Sequence, residues 1–317
     1  MTKAGSGRLV LVATPIGNLG DLPPRAVEVL SASDVICCED TRRTRQLLSY
    51  AEVRGRTLLS VHSHNEAARV ADVLERLRAG QTVALVSDAG MPALSDPGER
   101  LVAAVAKAGI EVTVVPGPSA ALAALVVSGL PTERFCFEGF LPRRGPERRA
   151  RLQVMAGDTR TTLVHETAPR LAATLADLAG ALGGARRVVV ARELTKVHEE
   201  LWRGSLAEAE AEFVARPVRG EIVLVVEGSA PPAPPGDAEL SEAVQRRLAR
   251  GESLRDAAAG AATEVGGSRR RAYELGLAAR ASGGMAPARL RLEQAERLPQ
   301  AERLEPAERL EPADKED

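Results

Sequence analysis

The chain is predicted to be an α/β protein with two sheet-containing domains and a small helical module behind them. Three observations carry this. The first half alternates short apolar runs with amphipathic segments. Beyond residue 130 strand-like runs outnumber the helical stretches between them. A proline-rich stretch, SAPPAPP at residues 229–235, then precedes three glycine-punctuated helical patterns. Strand–helix alternation at close spacing calls for a parallel sheet with both faces covered.

The elements follow in order. Residues 9–13 read as a strand, 25–31 as a short helix after a Pro-Pro start, 34–38 as a strand and 41–50 as a helix. Residues 57–61 are a strand, 66–79 a helix ended by Gly80, 82–86 a strand, 98–108 a helix ended by Gly109, and 112–115 a strand. Pro116-Gly117-Pro118-Ser119 closes this pattern and opens an alanine-rich helix at 120–128. Strands are then expected at 134–140, 161–165, 187–192, 199–204 and 221–226, with helices at 146–156 and 169–182, in a mixed sheet. Helices at 239–250, 254–265 and 269–279 form a unit of helix-turn-helix size, with Ser253 and Ser268 as caps. The tail repeats AERLEP-like hexads broken by proline, so a continuous coiled coil is excluded and disorder is expected. The domain reading is therefore 1–119, 120–229, a linker at 230–236, the helical module at 237–281 and the tail at 282–317.

Composition narrows the function. The 317 residues carry a net charge of −1, so any nucleic-acid contact must be local rather than global. Aromatics at 2% argue against a base-stacking sheet. Three cysteines, two of them adjacent in an apolar run, are expected to be reduced and buried. No apolar run approaches a membrane span and the first residues lack a signal-peptide core, which points to a cytoplasmic protein without a membrane.

The strongest local signal is VSDAGMPALSDPG, residues 86–98. An acidic, glycine-rich loop at the carboxyl end of a strand is where open α/β sheets seat ligands. Ser87, Asp88 and Asp96 favour a ligand with hydroxyls and positive charge over a bare polyphosphate. TPIGNLGD, residues 14–21, follows the first strand; it is neither a dinucleotide fingerprint nor a P-loop. CCEDTRRT, residues 37–44, reads either as helix capping or as Arg42, Arg43 and Arg45 facing a phosphate. HSHNE, residues 62–66, offers a histidine pair but too few ligands for zinc, and no metal is expected. FEGFLPRRGPERRAR, residues 137–151, places five arginines around a Gly-Pro turn and is either a phosphate-binding segment or a solvated surface. VHETAPR and ARELTK put Glu166, Glu193 and Lys196 near strand ends, in catalytic or ion-pairing roles.

Together TPIGNLGD, CCEDTRRT, HSHNE, VSDAGMP, PGPS, FCFEGFLPR, ARELTK and GEIVLVVEG resemble, in order and spacing, the RsmI-type 16S rRNA (cytidine(1402)-2′-O)-methyltransferases of the tetrapyrrole methylase superfamily. The resemblance spans residues 8–228, and the helical module looks like that family's C-terminal domain. It implies the two-domain tetrapyrrole-methylase-like fold, with S-adenosyl-L-methionine in the cleft, usually in a homodimer. By motif position the cofactor would touch Pro15, Ile16, Ser87, Asp88, Met91, Ser119, Ala120, His165 and Ile222. Met91 stands where the family commonly has threonine, and His165 where it has an aromatic residue. Lys196, Glu166 and Glu193 are the candidates for base or oxyanion stabiliser, with Asp88 rather a cofactor ligand. Arg42, Arg43, Arg143, Arg144, Arg148 and Arg149 would hold phosphates of the 16S rRNA partner in the small ribosomal subunit. The competing readings are a tetrapyrrole C-methyltransferase and a cofactor-sensing regulator whose helical module binds DNA.

Overall fold

A computed structural model describes residues 7–62, 64–230 and 234–282. The chain divides into two compact units, with the boundary between Pro231 and Pro232.

The first unit opens with a five-stranded sheet. Its strands are β1 (Arg8–Val12), β2 (Val35–Cys38), β3 (Thr57–Ser60), β4 (Thr82–Val86) and β5 (Glu111–Val115), in the order β3-β2-β4-β1-β5 and all parallel. The apolar runs are nearly continuous because successive side chains leave on opposite faces and both faces are covered. Val10, Val12, Ile36 and Ala84 pack with α1 (Pro24–Ala32) and α2 (Thr41–Tyr50). Leu9, Val35, Val83 and Leu85 pack with α3 (Glu66–Arg78) and α4 (Glu99–Lys107) on the other face. Cys37 and Cys38 are both free and buried, and burial pushes the Cys37 thiol up to about 12. The buried carboxylate of Glu66 accepts from the N–H groups of Gly98 (3.1 Å) and Leu101 (3.0 Å). It thereby satisfies two orphan donors at the start of α4 and anchors the far end of the loop that follows β4.

From α5 (Ala120–Ser128) the chain builds a second sheet of β6 (Phe135–Phe140), β7 (Thr161–Thr167), β8 (Arg187–Arg192), β9 (Glu200–Ser205) and β10 (Glu221–Val226). The order is β6-β7-β10-β8-β9; β6 and β7 are parallel and every other pair is antiparallel. Helix α5 and Ile16 of the first loop cover one face, over Leu163, Ala191 and Val223. The other face is covered by α6 (Pro146–Gly157), α7 (Leu171–Leu182) and α8 (Leu206–Ala215), over Val164, Val190 and Leu224. Helix α8 is absent from the sequence reading, although Ser205 and Glu208 form a full capping box at its start. Residues 169 and 170, expected to begin a helix, lie in a 3-10 turn (Ala168–Arg170) ahead of α7.

The second unit contains α9 (Asp237–Ala249), α10 (Leu254–Val265) and α11 (Arg269–Ser282). They close around Leu240, Val244, Leu254, Ala258, Ala261 and Ala272. The Ser253 hydroxyl accepts from Asp256 N (3.1 Å) at the start of α10, and Gly266 ends that helix at φ 76°. Part of the proline-rich linker, residues 231–233, and the repeat tail from 283 lie outside the described residues. Among the described residues no helix is long and apolar enough to cross a membrane.

Candidate active site

Strands β1 and β4 are neighbours and parallel, so the loops at their carboxyl ends emerge side by side. Those loops are stitched together. Thr14 N donates to Gly90 O (2.9 Å), and Gly90 N donates back to Thr14 O (3.1 Å). The Thr14 hydroxyl donates to Ser87 O (3.2 Å) and the buried Ser87 hydroxyl to Gly90 O (3.0 Å). Ser87 thus shapes the loop after β4 through both its carbonyl and its hydroxyl. Asp88 accepts from Asp40 N (3.1 Å) through Oδ1, and its Oδ2 lies 3.6 Å from Arg43 Nε. Asp40 itself caps α2 through Arg42 N (2.8 Å) and grips the Arg42 guanidinium, which holds its carboxyl down to about 2. The capping reading of CCEDTRRT is thus realised, and Arg42 is tied to it.

The second sheet supplies the facing wall. His165 packs edge-on against Phe137 (5.0 Å between centroids) and Phe140 (5.4 Å). Its Nε2 is buried without a hydrogen-bond partner, and burial lowers the imidazole below its ordinary value, against the pull of Glu221. The ring is therefore neutral at pH 7.

The third contributor is the turn after β8. Glu193 (φ 51°) and Thr195 (φ 64°) both sit in the left-handed region. With Ala93 (φ 64°) and Ser95 (φ 65°) of the β4 loop, they are four of five such non-glycine residues described. Strain of this kind gathers where geometry is dictated by function. Lys196 Nζ donates to Glu193 Oε1 (2.8 Å) and Glu221 Oε2 (2.9 Å), and Glu193 Oε1 also accepts from Glu221 N (2.9 Å). Burial pulls the ammonium down, but these two carboxylates outweigh it and leave Lys196 above its ordinary value. Burial likewise pushes Glu193 up, and its bonds to Lys196 and Glu221 N outweigh that to leave it below. Lys196 is thus a fixed cation. Gly17 lets the first loop approach this turn: a methyl there would strike the Lys196 side chain and lie 2.8 Å from Thr195 Oγ1. Asn18 N donates to that same hydroxyl (3.1 Å).

Two hollows meet between these walls. The first, about 300 Å³, is lined by Met91, Asp96, Ser119, Ala120, His165 and Ile222. The second, also about 300 Å³, is lined by Pro15, Gly17, Gln46, Ser87 and Lys196. Ile16, Arg43, Asp88, Ala89 and Glu221 border both. The first chamber gathers Glu39, Asp88, Asp96 and Glu221 against the single guanidinium of Arg43. Burial, with Glu39 next and Asp88 and Glu221 adding to it, pushes Asp96 up to about 6 against a hydrogen bond from Ser87. Glu39 is raised as well, by burial and by Asp88. A concave site so rich in carboxylates suits a cationic ligand with apolar parts.

The nine residues expected at a cofactor all border one chamber or the other, Pro15 and Ser87 only the second. Two expectations are overturned. Glu166 borders the first chamber, yet its carboxylate points away into the second sheet's other core, fully shut from solvent. There it accepts from Thr174 Oγ1 (2.6 Å) and Thr167 N (2.8 Å) and pairs with Arg170 Nε (3.2 Å). The cause is strand alternation: His165 takes the cleft face, so Glu166 takes the opposite one. Arg148 is not free for phosphate either. It is buried and donates to Asp177 Oδ2 (2.7 Å), Pro142 O (2.9 Å) and the same Thr174 hydroxyl (3.0 Å). Glu166, Thr174, Arg148 and Asp177 thus form one continuous polar network. Arg143, Arg144 and Arg149 are exposed, and their side chains make no hydrogen bond or ion pair among the described residues. His62 and His64 lie with ring centroids 6.0 Å apart, and no group of three or more metal-ligating side chains gathers among the described residues. Glu39, Asp96 and Glu221 complete the chamber; all three stood in motifs already singled out (CCEDTRRT, VSDAGMPALSDPG and GEIVLVVEG), but none was named among the cofactor or catalytic residues.

The sequence model of the tetrapyrrole (corrin/porphyrin) methylases matches residues 8–210. A solved structure of uroporphyrin-III C-methyltransferase from Thermus thermophilus, complexed with S-adenyl homocysteine, superposes at a TM-score of 0.50. It shares 21% identity and covers 70% of this chain and 97% of that one. Fold and cleft together define a tetrapyrrole methylase. Among curated proteins, ribosomal RNA small subunit methyltransferase I of Synechocystis sp. is 46% identical over 279 residues, 87% of this chain and 100% of the relative. The protein of that name from Mycobacterium tuberculosis is 48% identical over 270 residues, 84% of this chain and 93% of the relative. The chain belongs to the ribosomal RNA small subunit methyltransferase I family.

Proposed function

We propose that this protein is a methyltransferase that moves a methyl group from S-adenosylmethionine to a ribose 2′-oxygen of 16S rRNA, at a cytidine of the C1402 type. The observation that carries the reading is the pair of adjoining chambers, one crowded with carboxylates and one presenting Lys196, which share Ile16, Arg43, Asp88, Ala89 and Glu221 as a common border. The residues present fit the cofactor. A sulfonium nucleoside is cationic, and the first chamber sets four carboxylates against one guanidinium. The neutral His165 adds no positive charge and has an unpartnered Nε2. Ile16, Asp88, Met91, Ser119, Ala120, His165 and Ile222 would hold the cofactor there, with Pro15 and Ser87 supporting the loops from the second chamber.

When bound, S-adenosylmethionine supplies an electrophilic methyl on sulfur. The chain's own residues align the acceptor and exclude water. Lys196, held cationic by Glu193 and Glu221, stabilises negative charge developing on the ribose oxygen and does not act as a base. Glu193 orients it. Asp88, expected from sequence to be a cofactor ligand rather than a base, borders both chambers and in this reading also takes the hydroxyl proton. Arg143, Arg144 and Arg149 hold phosphates at the rim. In this reading residues 1–119 and 120–229 are the two domains around the cleft, the enzyme is a cytoplasmic homodimer, and the helical module docks on the small subunit.

A tetrapyrrole C-methyltransferase is not favoured, since that likeness stands at 21% identity against 46% for a relative named for rRNA methylation. A DNA-binding sensor is not favoured either, since these relatives are named as methyltransferases. The test is incubation of the protein with radiolabelled S-adenosylmethionine and 30S subunits, followed by nucleoside mass spectrometry. Label in 2′-O-methylcytidine is expected; unlabelled RNA would overturn the proposal.

A further inference from the structure

We infer that the outward face of α2, with the arginine-lined hollow beside its end, is the track for the single-stranded RNA flanking the target nucleotide. This rests on the RNA-methylating reading above. Helix α2 starts at the cleft: Arg43 borders both chambers and Gln46 lines the second. Arg42, Arg43, Arg45, Gln46, Ser49 and Tyr50 are all exposed. At 3.6 residues per turn they fall on one side of the helix, while Thr44, Leu47 and Leu48 fall on the other and are buried. Ten residues make this face about 15 Å long, which leads from the acceptor chamber to open surface.

At its far end the chain turns back through Glu52 (φ 56°) and Gly55 (φ 70°), with Val53 N donating to Leu48 O (2.8 Å). The turn brings Arg54 and Arg56 opposite Arg45 and Ser49 around a hollow of about 320 Å³. Glu52 is the only acid in its lining. Between residues 42 and 56 the chain carries five arginines and this one glutamate, in a protein whose net charge is −1. Arg56 gives one N–H to Ser33 O (3.2 Å), whereas the Arg45 and Arg54 guanidiniums make no hydrogen bond or ion pair among the described residues. Two unpaired guanidiniums across a concave surface suit the non-bridging oxygens of phosphodiesters, to which arginine binds through paired N–H groups. Tyr50 is 53% exposed in a chain with only two tyrosines. A surface ring beside a phosphate-binding hollow is the arrangement that stacks an unpaired base.

The test uses the full chain and purified 30S subunits. Binding of wild type and Arg45→Ala/Arg54→Ala is measured between 50 and 200 mM salt. Each lost phosphate contact on a single strand lowers the log–log salt slope by about 0.7. The double variant should therefore lose about 1.4 from the slope, and its affinity ratio across that range should narrow about 7-fold. S-adenosylmethionine affinity, by calorimetry, stays at the wild-type value. Tyr50→Ala should raise the KM for subunits and Tyr50→Phe restore it. A wild-type slope in the double variant, or equal KM for both Tyr50 variants and wild type, overturns the track. Because the binding arm needs no turnover, a wild type that binds subunits but labels no RNA would count against the methylation reading alone.

Discussion

Replacing Glu166 by alanine separates a structural carboxylate from a catalytic one at the same strand position. The carboxylate, itself with no solvent access, accepts from Thr174 and Thr167 and pairs with Arg170. Removing it leaves the Arg170 Nε without its anion and the Thr174 hydroxyl without its acceptor. Breaking a buried pair by deleting one partner costs about 3–5 kcal/mol. Arg170 is 26% exposed and keeps Leu141 O at 2.7 Å, so the low end, about 3 kcal/mol, applies. At roughly 2–4 °C per kcal/mol for a unit of this size, Tm should fall by about 6–12 °C. Glu166→Gln can still accept from Thr167 N through its one carbonyl oxygen while its amide N–H donates to Thr174 Oγ1, and it should lose only about 1 kcal/mol, or about 2–4 °C. Scanning calorimetry gives Tm, titration calorimetry gives cofactor affinity at a temperature where the variant is folded, and single-turnover labelling gives the chemical step. An alanine variant with wild-type Tm and abolished methyl transfer would refute the structural assignment and return Glu166 to the chemistry.

Three further outcomes are expected. Asp96 titrates at about 6 in the folded chain, above its ordinary 3.8, so its ionised form is penalised by folding. That penalty is full above about pH 6 and is relieved as pH falls from there toward 3.8, so Asp96→Asn should raise Tm at pH 8 and leave it unchanged at pH 4. The same titration should weaken cofactor binding to the wild type as pH drops through 6, and calorimetry on Asp96→Asn should show a flatter profile. Arg148→Ala should lower Tm without altering the salt dependence of subunit binding, whereas Arg143→Glu/Arg144→Glu should do the reverse; an unchanged salt slope in the latter would exclude that segment from the RNA interface. Gly17→Ala should push Lys196 off Glu193 and Glu221, lowering turnover about 10²-fold with little change in cofactor affinity, as separate titration and kinetics would show.

The parallel sheet was legible because strands such as Thr82–Val86 are covered on both faces and so read as unbroken apolar runs. Helix α8 was not, because β9 runs straight into it, and Gly204, which reads as the end of a strand, masks the capping box that Ser205 and Glu208 form just beyond it. The cleft's first wall was legible in the small, acidic residues of 86–98, where backbone demands and ligand charge coincide. The second wall was harder. Adjacent positions on a strand face opposite ways, so one slip of register decides whether His165 or Glu166 meets the ligand, and composition cannot settle it. Arg148 looked like its arginine neighbours. Only the packing of α6 on α7 turns its side chain inward to Thr174 and Asp177 while Arg149 stays outside.

Strand β10 is the last to leave the ribosome among the ten, yet it lies at the middle of its sheet, between β7 and β8. Until it arrives, β7 and β8 have no partner to join them, and the half-sheets carrying His165 and Lys196 stay separate. Glu221 and Ile222, at its first residues, also complete the cleft. A nascent chain that has folded its first sheet therefore has one wall of the site and no means of retaining the ligand. On the proposed reading, cofactor binding follows synthesis of residue 226, because the two long-range pairings of β10 close the sheet last.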